Sequence, residues 1–390
     1  MQDKVSLVSR RTILCAGLTT ALSFLARARE VSPSMATCFL YVGSYTGPES
    51  RGIYGFRFNR ASGSLTPLGL TAETPNPSFV LVEQGHGVLY TVNETTGASG
   101  ETGAVRALRI DPRTGGLTSL NEASSFGVGP CFLSLDRTRK YLFVANFHSG
   151  SIAAIALLPD GRLGERTAFI QHYGSSKTVE RQKSPHPHAI CVAPGNNLVV
   201  VADLGLDKIL LYHFDPANGA MYPSDPPFIA AERGAGPRHL AISQGGEVIY
   251  AINEINSSVT AYRRAKAGLS FQVSQTISTL PDGFSSEGDA AEIAIDSTGR
   301  FIYTSTRRSN TLRVFAIDRQ TGKLSILFDV SSGGESPHTF AIDPSSRWLI
   351  VADQASNNLA VFRRSTPSQL AFGYKISAPS PSSIAFYLRD

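Results

Sequence analysis

Apolar runs recur along this chain about every fifty residues, each led by a proline and separated by turns. The frame is Pro, one variable residue, an apolar run, a turn, a second apolar run ending in Asn or Asp, then a third run. It reads Pro77-Ser78-Phe79-Val80, Pro130-Cys131-Phe132-Leu133, Pro187-His188-Ala189-Ile190, Pro237-Arg238-His239-Leu240, Pro337-His338-Thr339-Phe340 and Pro381-Ser382-Ser383-Ile384. Ala291-Glu292-Ile293-Ala294 is a degenerate copy. No copy is long enough to bury its apolar faces alone, so the copies must stack on one another. The residue after the proline changes chemistry each time: Ser78, Cys131, His188, Arg238, Glu292, His338, Ser382. A fixed frame with one variable column points to a radial array in which each copy lends one side chain to a shared centre.

The second runs are nearly continuous in apolar, β-branched or aromatic residues, as in Leu89-Tyr90-Thr91-Val92 and Val199-Val200-Val201-Ala202. Such runs predict strands covered on both faces. The third runs, such as Leu312-Arg313-Val314-Phe315, read as alternating and predict strands farther from the middle of the sheet. Turn boxes such as Asp111-Pro112-Arg113-Thr114-Gly115 and Asp318-Arg319-Gln320-Thr321-Gly322 then lead into a fourth strand. Four antiparallel strands per copy is the blade of a β-propeller.

The second strand occurs seven times, beginning near Leu40, Leu89, Leu142, Val199, Ile249, Ile302 and Leu349. The first copy lacks an inner strand before it, and the last inner strand, from Pro381, has no second strand after it. Ring closure resolves both: the C-terminal strand completes the N-terminal blade and hides an edge. The expectation is therefore an all-β, seven-bladed propeller over 39–390.

Composition agrees with this picture and narrows the partners. Hydrophobic content is 42%, charged residues are 17%, and 35 Gly with 22 Pro suit a chain of many turns. The net charge of +5 is scattered, with no basic helix or stripe, so nucleic acid is not an expected partner. No segment is suited to spanning a membrane in the mature form. At the N-terminus, Ser9-Arg10-Arg11-Thr12-Ile13-Leu14, an apolar run to Leu25 and Ala26-Arg27-Ala28 read as a twin-arginine signal peptide over 1–28. A linker over 29–38 would follow. The expected protein is exported, periplasmic or secreted, by the Tat machinery, and is a monomer. Once Cys15 is removed, Cys38, Cys131 and Cys191 remain, with no short spacing for a disulfide framework or zinc site, so packing is their expected role.

Leu40-Tyr41-Val42-Gly43-Ser44-Tyr45-Thr46, Ser184-Pro185-His186-Pro187-His188-Ala189, Gly236-Pro237-Arg238-His239-Leu240-Ala241 and Ile252-Asn253-Glu254 resemble the seven-bladed lactonase family. That family contains propeller-type 6-phosphogluconolactonases and carboxymuconate-cyclising enzymes. The resemblance runs from about Phe39 to the C-terminus. It implies hydrolysis of a sugar lactone without metal or other cofactor, with catalytic groups at His188, Arg238, Glu254 and Arg307.

The residues themselves allow the same chemistry. Inner strands line a propeller's channel, so His188, Arg238, Glu292 and His338 should converge at its mouth. Glu254 lies sixteen residues beyond Arg238, so one hairpin can hold cation and anion side by side. Lactone opening needs a base for water, a cation or donor for the oxyanion, and an acid for the leaving alkoxide. Glu254 or His188, Arg238, and His188 fill those roles. Arg307 or Arg308 can grip a carboxylate or phosphate. His239, Glu292, Arg308 and His338 are the expected substrate-binding lining.

Other readings use the same residues. Arg238–Glu254 also reads as a structural ion pair, and His188 as a strand cap. His186-Pro187-His188 resembles a metal pair, but no third ligand is placed by the sequence. Ser78, Cys131 and Ser382 read as small channel filler. No Gly-x-Ser-x-Gly elbow or nucleotide-type glycine loop occurs. A non-catalytic cell-envelope propeller and a muconate-type cyclase are the alternative functions.

Overall fold

A computed structural model describes residues 37–97, 101–177, 180–265, 268–284, 289–366 and 368–388. The expected signal peptide, and the linker up to residue 36, lie outside the described residues. The first described strand is Thr37–Ser44.

Among the described residues, twenty-eight strands form seven four-stranded antiparallel sheets. Blade 1 combines the C-terminal strand Pro381–Leu388 with strands Thr37–Ser44, Gly52–Asn59 and Leu65–Glu73. The remaining blades follow in order: 80–124, 130–171, 187–230, 237–278, 290–331 and 337–377. Pairs from Cys38↔Leu388 to Ser44↔Pro381 close the ring, as the unmatched first and last copies require. Trp348 Nε1 donates to the Arg60 carbonyl at 3.0 Å and Tyr374 Oη to the Gly63 carbonyl at 3.0 Å, tying blade 7 to blade 1.

The core is divided among the seams between blades. Seven hydrophobic clusters each draw on two adjacent blades. Both faces of each blade are therefore covered, which is why second strands such as Leu198–Asp203 and Val248–Asn253 are buried at every position. Several third strands depart from expectation, while Ala104–Ile110 and Lys208–Asp215 largely alternate. Ser258–Arg264 is buried over its first five residues rather than alternating, because neighbouring blades cover it as well. Exposure begins at the fourth strand, as in Leu324–Ser331. The turn boxes also join blades: Tyr41 and Tyr250 donate hydrogen bonds to the carbonyls of Gly115 and Gly322 in the next blade, at 2.9 and 2.8 Å.

One backbone device recurs at the channel. In blades 3, 4, 5 and 7 the ladder slips by one residue directly after the leading proline, as between Pro187↔Asp203 and Ala189↔Ala202. Blades 6 and 1 slip at the corresponding place. Each slip is a β-bulge, and a bulge re-aims the extra residue out of the ladder. The extra residue is the variable column: Cys131, His188, Arg238, His338 and Ser382, with Ala291-Glu292 in blade 6. Ser78 lies just ahead of its strand, which starts at Val80.

Candidate active site

The bulged residues meet around a cavity of about 100 Å³ at one end of the channel. By the ~10–15 Å³ that one water requires, several waters fit. Its lining includes Ser78, Cys131, His188, Arg238, His239, Glu292, His338 and Ser382, with Tyr45, Phe79, Glu94 and Phe147. The column read as the repeat's variable position is thus the wall of a single site.

Arg238 organises it. The residue is 1% exposed, and its guanidinium meets partners at all three nitrogens, although Nε has no hydrogen bond of good geometry. Nε forms an ion pair with Glu254 Oε2 at 3.0 Å. Nη1 donates to the Ala291 carbonyl at 2.7 Å and lies 3.2 Å from His239 Nε2. Nη2 points toward His338 Nε2 at 3.5 Å, a contact long enough for another acceptor to compete. The partners are themselves held. His239 Nδ1 donates to Glu292 Oε1 at 3.0 Å, and Glu292 Oε2 accepts from Thr339 Oγ1 at 2.8 Å. His338 Nδ1 donates to the Ser382 carbonyl at 2.9 Å, which leaves the Nε2 lone pair facing Arg238.

Glu254 does not line the cavity; it sits behind Arg238 and is 3% exposed. Its Oε2 also takes Arg307 at 3.1 Å, and its Oε1 takes Arg181. Burial alone would raise the Glu254 carboxyl, but Arg307, Arg238 and Arg181 together hold it below its ordinary value. Both oxygens are engaged by cations, an arrangement that suits a counter-ion and disfavours a base. Arg307 joins this cluster and also contacts Asp289 at 3.5 Å. Arg308, expected in the lining, is turned outward onto Asp289 at 2.6 Å and lies outside the cavity. His186 is no metal partner for His188, because its ring stacks on Phe147 and its Nδ1 donates to the Phe147 carbonyl at 2.8 Å. Among the described residues no cluster of three metal-ligating side chains occurs.

The electrostatics keep the imidazoles neutral. Burial, Arg238 and His239 push His188 well below 6.5; burial, Arg238 and Arg307 do the same to His338. For Glu292, burial raises the carboxyl, but His239 and Arg238 outweigh it and hold it ionised. Burial pushes the Cys131 thiol well above its ordinary value, so it remains a thiol beside His188 Nδ1 at 3.9 Å.

Arg181 escaped sequence reasoning. It comes from the connection over 172–186, fifteen residues long, where blades 2 and 3 are joined by only 125–129. That connection is pinned by Gln182, which donates to the Leu204 carbonyl at 2.8 Å, and by Ser176 on Asp207 at 2.6 Å. Its extra length was the one available signal. Tyr45, Ser78 and Glu94 were likewise passed over as site residues, because no charge pattern marks them.

The molecule is therefore a closed seven-bladed propeller whose inner strands converge on one buried site holding an arginine, histidines and two carboxylates. The sequence pattern of the family described as "Lactonase, 7-bladed beta-propeller" spans residues 39–386, and the chain belongs to that family. Membership places it among lactone-hydrolysing enzymes, a class of carboxylic-ester hydrolase. The chain is 31% identical over 348 residues to a 6-phosphogluconolactonase of Bacillus subtilis, covering 89% of this chain and 97% of the relative. It is 31% identical over 330 residues to a 6-phosphogluconolactonase of Formosa agariphila, covering 83% and 92%. The structure of a periplasmic gluconolactonase from Pseudomonas aeruginosa superposes with a TM-score of 0.84 at 32% identity, covering 90% of this chain and 99% of that one.

Proposed function

We propose that the cavity hydrolyses a sugar lactone by activating water, without metal. The observation that carries this is the Arg238 guanidinium, held by Glu254 and His239 and presenting Nη2 beside the unprotonated Nε2 of His338. The lactone carbonyl oxygen sits on Arg238 Nη2. His338 Nε2 takes a proton from water as the water oxygen bonds to the carbonyl carbon. The oxyanion that forms is stabilised by a cation fixed in place before reaction. Collapse breaks the ring C–O bond, and the proton on His338 passes to the departing alkoxide. The product is a hydroxy acid, which ionises. His188, also held neutral by burial and Arg238, contacts the substrate as a neutral imidazole beside the Cys131 thiol. Glu254 and Arg307 orient Arg238.

The same proposal has the protein exported in folded form, which Ser9-Arg10-Arg11 and the periplasmic relative support, and acting as a monomer. Sugar phosphates are mainly cytosolic, so the substrate is an unphosphorylated lactone. Retention in the cytoplasm of a variant with Arg10→Lys and Arg11→Lys tests the export. The chemistry is tested by a pH-stat screen of purified protein against glucono-1,5-lactone and other lactones, with Arg238→Ala as control. Turnover above the uncatalysed rate, lost in the variant, is expected. No turnover of any lactone sinks the proposal.

A further inference from the structure

The wall facing Arg238 across the ring belongs to blades 1 and 2, and it has a different chemistry. Ser78 is 4% exposed, lines the cavity, and its Oγ has no hydrogen-bond partner among the described residues. A buried hydroxyl without a partner is costly unless something else satisfies it. Beside it, Glu94 also lines the cavity and accepts from Tyr45 Oη on one oxygen, Oε2, at 3.1 Å. Burial and the Glu94 charge push the Tyr45 phenol up, so it stays protonated as a donor. Phe79 and, from blade 3, Phe147 add two aromatic rings to the lining.

Resting on the lactone-hydrolysis reading, we propose that Tyr45, Ser78 and Glu94 form a hydroxyl-binding subsite. It would take the polyhydroxylated ring carbons of an aldonolactone while Arg238 takes its carbonyl. A carboxylate accepts from two neighbouring hydroxyls, a serine both donates and accepts, and aromatic rings cover the C–H faces between them. Ser78 is therefore a recognition residue and not channel filler. A hydrocarbon lactone of the same ring size leaves Ser78 Oγ without a partner and offers Glu94 no hydroxyl beyond that of Tyr45, and sites built to bind hydroxyls reject ligands that lack them.

The test compares kcat/KM for glucono-1,5-lactone and δ-valerolactone, each divided by its uncatalysed rate, in the wild type and in Ser78→Ala and Glu94→Gln. The wild type is expected to favour the hydroxylated lactone by roughly a hundred-fold or more, and each variant to cut that ratio about ten-fold. Equal losses on both lactones, or an unchanged ratio in both variants, overturn the subsite. Should the wild type hydrolyse neither lactone, the catalytic proposal fails on its own, and calorimetric binding of gluconate decides the subsite. Binding weakened about ten-fold by Ser78→Ala upholds it; no binding to the wild type overturns it.

Discussion

Replacing Glu254 by Gln separates a counter-ion from a base. Glu254 is 3% exposed and pairs with Arg238, which is 1% exposed, at 3.0 Å. Removing one member of a buried pair costs about 3–5 kcal/mol, because the other charge stays buried without compensation. Arg181 adds little, since its side chain is 45% exposed and its share of the attraction is screened by solvent. Gln also turns an NH2 group toward one of the guanidiniums, so the lower figure of about 3 kcal/mol is a floor. At ~2.1 cal/mol/K per residue, a propeller of roughly 350 residues has an unfolding entropy near ~0.74 kcal/mol/K, so Tm should fall by about 4 °C at pH 7. The pH dependence follows from linkage. The folded-state pKa of Glu254 lies below its ordinary value of 4.5, so its stabilisation is complete above that value and fades as pH falls through the lowered one. The Tm gap between Glu254→Gln and wild type should therefore close in acid. Thermal unfolding by circular dichroism at several pH values, beside lactone turnover at pH 7, makes the measurement. A counter-ion predicts the Tm loss with kcat/KM reduced about 10–100-fold through displacement of Arg238. An unchanged Tm at pH 7, with activity lost by more than ~10⁴-fold, would refute the reasoning and return Glu254 to the role of base.

Arg181→Met should leave Tm within about 1–2 °C of wild type, because exposed ion pairs are weak, while lowering kcat/KM several-fold; a scanning fluorimeter and the lactone assay suffice. Because burial and Arg238 hold His338 and His188 well below 6.5, kcat/KM should stay flat from pH 6.5 to 8 and fall only as pH drops toward their lowered values. A pH–rate profile with a limb at or above pH 6.5 contradicts that assignment. Deleting 381–390 removes the inner strand of blade 1 and the packing of Ile384, Phe386 and Leu388 in the seam with blade 7, so cooperative thermal unfolding should be lost or Tm lowered by more than ~10 °C. Gly205→Ala puts a Cβ 1.9 Å from the Ser184 carbonyl, which should displace the connection carrying Arg181 and lower kcat/KM more than Arg181→Met does.

The repeat, the number of blades and the ring closure could be read from the chain because each depends on local periodicity. Near-continuous apolar second strands mark a sheet covered on both faces, and an unmatched strand at each end has one economical resolution. The pairing of Arg238 with Glu254 was also legible, since a hairpin brings residues sixteen apart together. The alternation read into third strands such as Thr311–Ile317 was misleading, because how far neighbouring blades overlap is not a property of one strand.

What the sequence could not decide was direction and company. A one-residue bulge after each proline turns the variable residue out of the ladder, and a bulge leaves no reliable mark in composition. Arg181 reaches Glu254 from the connection between blades 3 and 4, so no spacing connects them. Glu254 could be paired with Arg238 from the sequence, but Arg181 and Arg307 were not foreseen as its further partners. Ser78 looked like filler until its hydroxyl was found buried against the cavity without a partner. The amino-acid pattern by itself determined a closed seven-bladed ring with one variable residue per blade. Only the tertiary structure decided which of those residues face one another, because charge neutralisation and burial arise between blades that are distant in sequence.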